Sequence, residues 1–413
     1  MTDATTPASN PNSNSVPAPL PLWRGFNLQG LFAPPMAPPS QLPLTLTLPG
    51  ERPKDVFQEW DFEFMRENGF NFVRIPMSYW YWSSSATDYS LTISDNVLEA
   101  IDHAVELGAQ YGIHVSLCMH RTPGWCVNPP EEPYSLWGSR PAPPGALNPL
   151  EASCNYWSIL AKRYKDIPSS ALSFDLINEP PPITPPPTPP MPPTLWDVFD
   201  NGMESFLANP KVNGDTTTIS STTYQTVVNQ LTNAIRSVSP ERLVIAEGVG
   251  FATQIPDGLS DLPVAFSCHC YEPMGVAQYG NMPIPMPAPR WPGGWQFVPT
   301  PPPPPYPPPA LSCPPLWDPS TLETFFAPWE PWGRPRRAHL GETGCNNQTA
   351  HCVALAWLDS VLSFFTSHNI GYALWQLSGP FGILNSGRID VKYEPLPNGH
   401  LLDRKMLELL KRY

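Results

Sequence analysis

Two glutamates stand where apolar runs give out, and each is placed to do acid–base or nucleophilic work. Glu179 follows the run LSFDLIN at 172–178 and precedes Pro180, which cannot continue a β-ladder and so ends the strand. Glu342 closes the run RAHLGE at 337–342. Two carboxyl groups facing each other across a cleft can divide one reaction between them. One gives a proton to a leaving oxygen, and the other attacks the carbon left behind or activates water to do so. That division of labour is what cleavage of a glycosidic bond requires.

Such a pair needs a scaffold that brings distant segments together. Eight short apolar runs read as strands: 22–28, 71–77, 114–120, 172–178, 242–248, 264–271, 337–342 and 371–377. Helical periodicity lies between most of them, at 55–68, 95–110, 151–164, 223–238, 321–330 and 350–366, with a last helix at 403–412. In 55–68, for example, Val56, Phe57, Trp60, Phe64 and Met65 fall on one face. Strands alternating with helices imply parallel pairing through right-handed crossovers. The fold class is therefore α/β, and eight units predict a closed (β/α)8 TIM barrel. No G-x-G-x-x-G follows the first strand, which argues against a dinucleotide-binding sheet. Polar residues gather instead at the ends of many strands: Asn27, Arg74, His120, Glu179, Tyr271, Glu342 and Trp375. In a barrel of this kind, that end carries the active site.

The chain has 413 residues, which one barrel with insertions accommodates. Its 60 prolines concentrate at 1–21, 34–53, 129–149, 180–193 and 282–319. Residues 1–21 read as a Pro/Ser/Asn-rich disordered tail and 22–413 as one catalytic domain. The other four proline runs map to loops on the catalytic face. They are read either as tolerated low-complexity insertions or as stiff extended walls around a cleft, the second reading drawing on Trp196, Trp291 and Trp295 within or beside them. Trp80, Trp82, Trp125 and Trp137 lie on loops at the same face, as subsite or packing residues. Asp175 and Glu247 are read as supporting carboxylates.

A net charge of −13 excludes nucleic acid as a partner, since that needs a basic surface, but does not repel a neutral polymer. No apolar run is long enough to span a membrane, and a monomer is expected. Residues 1–21 have neither a basic n-region nor an apolar stretch, so no secretory signal is visible, and secreted and cytoplasmic locations both stay open. None of the eight cysteines is spaced C-x-x-C, and no cluster supports a catalytic metal or another cofactor. Cys118 with Cys126, or Cys345 with Cys352, are pairs that either bridge or stay free.

Taken together, these residues resemble glycoside hydrolase family 5, the group of cellulases, mannanases and related β-glycanases. The resemblance runs from WRGFN at 23–27 to the last helix, leaving out the proline-rich insertions. The family pattern has an Arg after strand two, a His after strand three, Asn-Glu after strand four, His-x-Tyr at strand six, Glu at strand seven and Trp at strand eight. Arg74, His120, Asn178, Glu179, His269, Tyr271, Glu342 and Trp375 match it in order. The resemblance implies a retaining mechanism with Glu179 as acid/base, Glu342 as nucleophile, and the other six residues binding substrate, with no cofactor. Arg74 and Tyr271 would favour the Glu342 anion through charge and a hydrogen bond. Asn178 would reach a sugar 2-hydroxyl, His120 and His269 would bind hydroxyls or orient carboxylates, and Trp375 would give an apolar floor. The substrate is expected to be a β-glucan or related oligo- or polysaccharide, with endo-β-1,4-glucanase activity as the leading expectation. Mannanase, exo-β-1,3-glucanase and a non-catalytic carbohydrate-binding barrel are the alternatives.

Overall fold

Along the strands of this chain, apolar residues alternate with residues that are small, polar or charged. A closed barrel turns that alternation into an outside and an inside. The computed structural model describes residues 19–33, 42–47, 51–128, 130–183, 218–255, 258, 262–281, 288–295 and 316–413. The barrel strands are β1 (Arg24–Asn27), β2 (Phe72–Ser78), β3 (His114–Arg121), β4 (Leu172–Asp175), β5 (Leu243–Glu247), β6 (Ala265–Cys270), β7 (Ala338–Thr343) and β8 (Tyr372–Leu374). They close as one parallel barrel in which each strand pairs with its neighbours in the chain and β1 pairs with β8. Five of the eight expected runs contain their strand, β2, β3 and β7 each run one residue past theirs, to Ser78, Arg121 and Thr343, and the expected TIM barrel is the observed fold.

Helices α1 (Glu59–Glu67), α2 (Asp95–Tyr111), α3 (Pro149–Arg163), α4 (Ser221–Arg236), α5 (Pro319–Phe326) and α6 (His351–Ser367) lie in the crossovers, and α7 (Arg404–Leu410) follows the last strand. Their starts and stops follow from sequence. Asn148 caps α3 by accepting from Leu150 N at 2.8 Å, with Pro149 at the first turn and Glu151 completing a capping box. Gly112 ends α2 in the left-handed conformation at φ 65°. Between β5 and β6 the described residues form only a short turn, Val249–Ala252, where Gly250 and Phe251 both have positive φ. No helical period was expected there.

Val73, Ile75 and Met77 of β2, Leu172 and Phe174 of β4, and Val244 and Ala246 of β5 point outward into one continuous apolar core shared with the helices. The opposite parity lines the interior. At the bottom Trp23 stacks on Phe72 at 4.7 Å and meets His114 at 4.3 Å and His339 at 5.3 Å. Ile245, Ala265 and Ala373 complete this plug. Above it the lining turns polar, with Arg74, Cys118, Asp175, Glu247 and His269 all buried. A TIM barrel interior is ordinarily filled by branched apolar residues, so this layer is the first structural sign of a site.

One irregularity decides where Glu342 points. On β7, Leu340 pairs with Cys268, but the next pair is Glu342 with His269, so Gly341 is an extra residue. The pairing with β8 slips at the same place. In an unbroken strand Glu342 would share the outward face of Leu340; the bulge shifts parity by one and turns it inward.

Cys118, Cys126, Cys345 and Cys352 are all free thiols, so neither suggested bridge forms. Trp196, Cys313 and most of the proline-rich runs at 1–21, 34–53, 180–193 and 282–319 lie outside the described residues. Among the described residues no helix is long and apolar enough to cross a membrane.

Candidate active site

The site is built on Arg74. Sequence places it with the strand-end residues, but it is the third residue of β2 and lies deep, paired across to Asn27 at the end of β1. Its guanidinium is fully buried and every edge is used. Nε donates to Asp175 at 2.8 Å. Nη1 donates to Glu342 at 2.6 Å and Asn27 at 2.9 Å. Nη2 donates to Glu247 at 2.6 Å, Asn178 at 2.7 Å and Cys118 Sγ at 2.9 Å. A buried charge is tolerable only when paired and hydrogen-bonded, and here one cation organises three carboxylates from three strands. A planar fork of five N–H donors suits that task, where a point charge would not.

Glu342 is held from both sides. Oε1 takes the Arg74 bond, and Oε2 accepts from the Tyr271 hydroxyl at 2.9 Å, with His269 Nδ1 at 3.7 Å. Glu179 has a different setting. It sits beyond the end of β4 with φ 48°, a left-handed conformation uncommon outside glycine. Its Oε1 lies 2.9 Å from His269 Nδ1. Burial pushes its carboxyl up to about 7, the bond and charge of His269 pull it down, and the nearby Glu342 and Glu247 carboxylates push it up again. One oxygen of Glu179, one ring nitrogen of His269 and one oxygen of Glu342 all lie within 4.8 Å of one another.

His269 and Glu247 complete the electrostatics. Burial alone would keep His269 neutral, but the Glu247 and Glu342 carboxylates and the bond to Glu179 raise it well above the ordinary histidine range. Glu247 answers it: burial opposes its charge, yet His269 and Arg74 outweigh burial and hold it down at about 2. Asp175 is pushed up to about 8 by burial and by the Glu247 charge, against the pull of Arg74. Asp175 and Glu179 are thus pushed toward their protonated forms, while Glu247 is held as an anion.

The remaining expected residues meet at the same mouth. Asn178 accepts from Arg74 at Oδ1, which leaves Nδ2 as a buried donor with no protein partner. Its carbonyl is fixed by the Trp125 indole at 3.0 Å. His120 is buried, and burial with the charge of Arg74 keeps it well below the usual range. Its ring lies 5.6 Å from that of half-buried Trp375, and Phe32 meets both edge-on at 4.8 and 5.4 Å. All eight expected residues are thus brought together at one end of the barrel, with Arg74 deepest among them.

Several loop tryptophans do something else. Trp80, Trp82, Trp125 and Trp137 are buried, so they pack loops and offer no open sugar platform. The guanidinium of Arg121 lies 4.0 Å over the Trp80 ring and bonds Glu132 at 2.6 Å, while Tyr79 donates to the same carboxylate at 2.5 Å. This cluster pins the loop after β3. Trp291 donates to Ser360 of α6 at 3.0 Å, and the side chain of Trp295 lies outside the described residues. Sequence reasoning passed over Phe32, Cys118 and Glu272. Glu272 follows Tyr271 and is buried, with its carboxyl pushed up to about 7 chiefly by burial.

With this geometry in hand, comparison with known proteins gives a consistent picture. The family model "Cellulase (glycosyl hydrolase family 5)" matches residues 54–380. An endoglucanase of Paenibacillus polymyxa is 23% identical over 335 residues, covering 76% of this chain and 68% of that protein. Glucan 1,3-beta-glucosidase 2 of Saccharomyces cerevisiae is 37% identical over 92 residues, which span 19% of this chain and only 16% of the yeast protein. Among solved structures, one described as a glycoside hydrolase superposes with a TM-score of 0.71 at 28% identity, over 94% of this chain and 98% of its own. Cel5A of Thermotoga maritima in complex with cellobiose gives a TM-score of 0.58 at 17% identity, over 94% and 97% of the two chains, which is a likeness of fold.

Proposed function

This chain belongs to glycosyl hydrolase family 5 and is a glycosidase acting on O-glycosyl bonds, and we propose that it cleaves β-linked glucans with retention of configuration, using Glu342 as nucleophile and Glu179 as acid/base. The observation that carries this reading is the contrast between two neighbouring carboxyl groups. Glu342 is gripped by Arg74 and Tyr271, donors that favour an anion. Glu179, half-buried beside it, has its carboxyl pushed up to about 7, chiefly by desolvation. This difference in surroundings supports Glu179 as the acid and Glu342 as the nucleophile. Their nearest oxygens, within 4.8 Å, suit the carboxyl spacing of about 5–5.5 Å used for direct attack better than the roughly 6.5–9.5 Å that leaves room for a water.

The steps follow. The Glu342 carboxylate attacks the anomeric carbon while the glycosidic C–O bond breaks and Glu179 delivers its proton to the leaving oxygen. A glycosyl ester on Glu342 and an ionised Glu179 result. Water then attacks the anomeric carbon, Glu179 takes its proton, and the ester C–O bond breaks to free Glu342. The free Nδ2 of Asn178 is a donor for the sugar 2-hydroxyl, a contact that strengthens in the transition state. Half-buried Trp375 gives the ring an aromatic face.

For the substrate, the family description and the Paenibacillus polymyxa endoglucanase favour an endo-β-1,4-glucanase. The short match to the yeast glucan 1,3-beta-glucosidase favours a β-1,3-glucan as the second reading. Product profiles on carboxymethyl cellulose, laminarin, glucomannan and short β-oligosaccharides separate these. Random shortening of the first supports the leading reading, and glucose release from laminarin supports the second. For the chemistry, Glu342→Gln should abolish turnover of an aryl β-glycoside in a folded protein. Glu179→Ala should be rescued by azide as the β-glycosyl azide, and an α-product would overturn retention.

A further inference from the structure

Glu247 is fully enclosed at the end of β5, out of reach of any substrate, yet its carboxylate touches three parts of the site. Oε2 accepts the backbone N–H of Glu179 at 2.7 Å. Oε1 takes Arg74 Nη2 at 2.6 Å and lies 3.3 Å from His269 Nε2. Its own carbonyl receives the hydroxyl of Tyr224 on α4, which ties the end of β5 to the helical layer. We propose that Glu247 is a positioning residue for the acid/base, fixing Glu179 by its backbone from one side and, through His269, by its carboxyl from the other. This rests on the assignment of Glu179 as acid/base.

The geometry carries the argument in two ways. Glu179 has φ 48°, a conformation that needs an external hold in a residue with a side chain. The hold on its N–H is the Glu247 carboxylate. His269 in turn is the bonded neighbour of the Glu179 carboxyl, and the ring can present N–H to Glu179 from Nδ1 and to Glu247 from Nε2 only when doubly protonated. The carboxyls facing this ring are Glu179 after β4, Glu247 on β5 and Glu342 on β7, and its charge is felt by Glu272 beyond its own strand and by His120 and His339. Glu247 is the carboxylate whose charge does most to keep His269 a cation. Since the bond and charge of His269 act on Glu179 more strongly than Glu247 does directly, losing the Glu247 charge should leave Glu179 a weaker acid.

The test compares Glu247→Gln with wild type on two substrates sharing one glycone, phenyl β-cellobioside, which needs proton donation, and 2,4-dinitrophenyl β-cellobioside, which does not. Misplacing the acid should lower kcat/KM for the phenyl substrate on the order of 10²-fold, lower it far less for the dinitrophenyl substrate, and move the alkaline limb of the phenyl profile to higher pH. Equal losses on both substrates in a variant with a wild-type melting curve would overturn the proposal. Glu179→Ala, run in parallel, separates the two levels. If it too slows both substrates equally, the assignment of Glu179 fails; if it discriminates and Glu247→Gln does not, only the role of Glu247 fails. Should the variant not fold, or the wild type ignore cellobiosides, nitrogen-15 shifts of His269 in the wild type decide. A doubly protonated ring at neutral pH supports the proposal, and a neutral ring overturns it.

Discussion

Arg74 meets Glu342 at 2.6 Å through the same guanidinium that binds Asp175 at 2.8 Å, so the residue that holds the candidate nucleophile also holds the barrel interior together. Lysine keeps the charge but reaches fewer of these acceptors and lacks the planar fork. Arg74→Lys should therefore cost stability as well as activity. Leaving buried carboxylates uncompensated typically costs about 3–5 kcal/mol, and removing an oriented donor from the reacting centre costs on the order of 10² in kcat. Urea unfolding and aryl-glycoside kinetics measure the two losses. A variant that is inactive with an unchanged unfolding midpoint would show that the interior does not depend on the guanidinium.

The pH dependence follows from Glu179. The acid must carry its proton when substrate arrives, and burial places its loss at about 7. kcat/KM for a substrate with a poor leaving group should fall above that pH, tenfold per unit. A dinitrophenyl glycoside needs no proton from the enzyme, so its alkaline limb should be much flatter. Initial rates on both substrates across neutral pH check this, and parallel alkaline limbs would count against Glu179 as the acid.

Much of this was legible in sequence because the information was local. Val73-Arg74-Ile75 and Leu172-Ser173-Phe174-Asp175 state their parity within a few residues, and Asn178-Glu179-Pro180 announces a strand end. Five of the eight barrel strands accordingly fell inside their expected runs, and β2, β3 and β7 overran theirs by one residue. What escaped depends on contacts that close only in three dimensions. Trp80 looks like a loop aromatic until Arg121, 41 positions on, covers its face. The depth of Arg74 follows from β2 running four residues past its pairing with Asn27. Glu247 was legible in part: it shares parity with inward Ile245, and an acidic residue of that parity in a barrel strand must find a buried cation.

Glu272 gives a prediction about stability in place of rate. Its carboxyl is buried and pushed up to about 7, chiefly by desolvation, with Glu179 nearby adding to the rise. The folded state then binds the proton more tightly than the unfolded state, so from about pH 4 to about pH 7 stability falls as pH rises. The accumulated loss is about 3 kcal/mol once pH exceeds the folded value. Glutamine mimics the protonated form and keeps an acceptor for the Tyr271 N–H, now at 3.1 Å. Glu272→Gln should match wild type in thermal denaturation at acid pH and exceed it at alkaline pH. A constant offset between the two melting curves at all pH values would mean that ionisation of Glu272 is not what the protein resists.

Gly341 supplies the sharpest test of how the site is positioned. It is the extra residue of the β7 bulge, and a Cβ there would stand 2.2 Å from Ser267 Oγ and 3.3 Å from His269 Nε2. Gly341→Ala must therefore displace Ser267, and through it the strand carrying His269, or else flatten the bulge and turn Glu342 away from the mouth. Overpacking of this kind costs about 1–3 kcal/mol, and activity should fall further than stability because the displaced groups are the acid's partner and the nucleophile. Ser267→Ala removes the atom that collides most closely. In the double variant both stability and kcat should recover in part, giving a coupling energy that two independent sites would not show. Strictly additive losses would mean that the bulge relaxes some other way and that glycine is needed at 341 for its backbone alone.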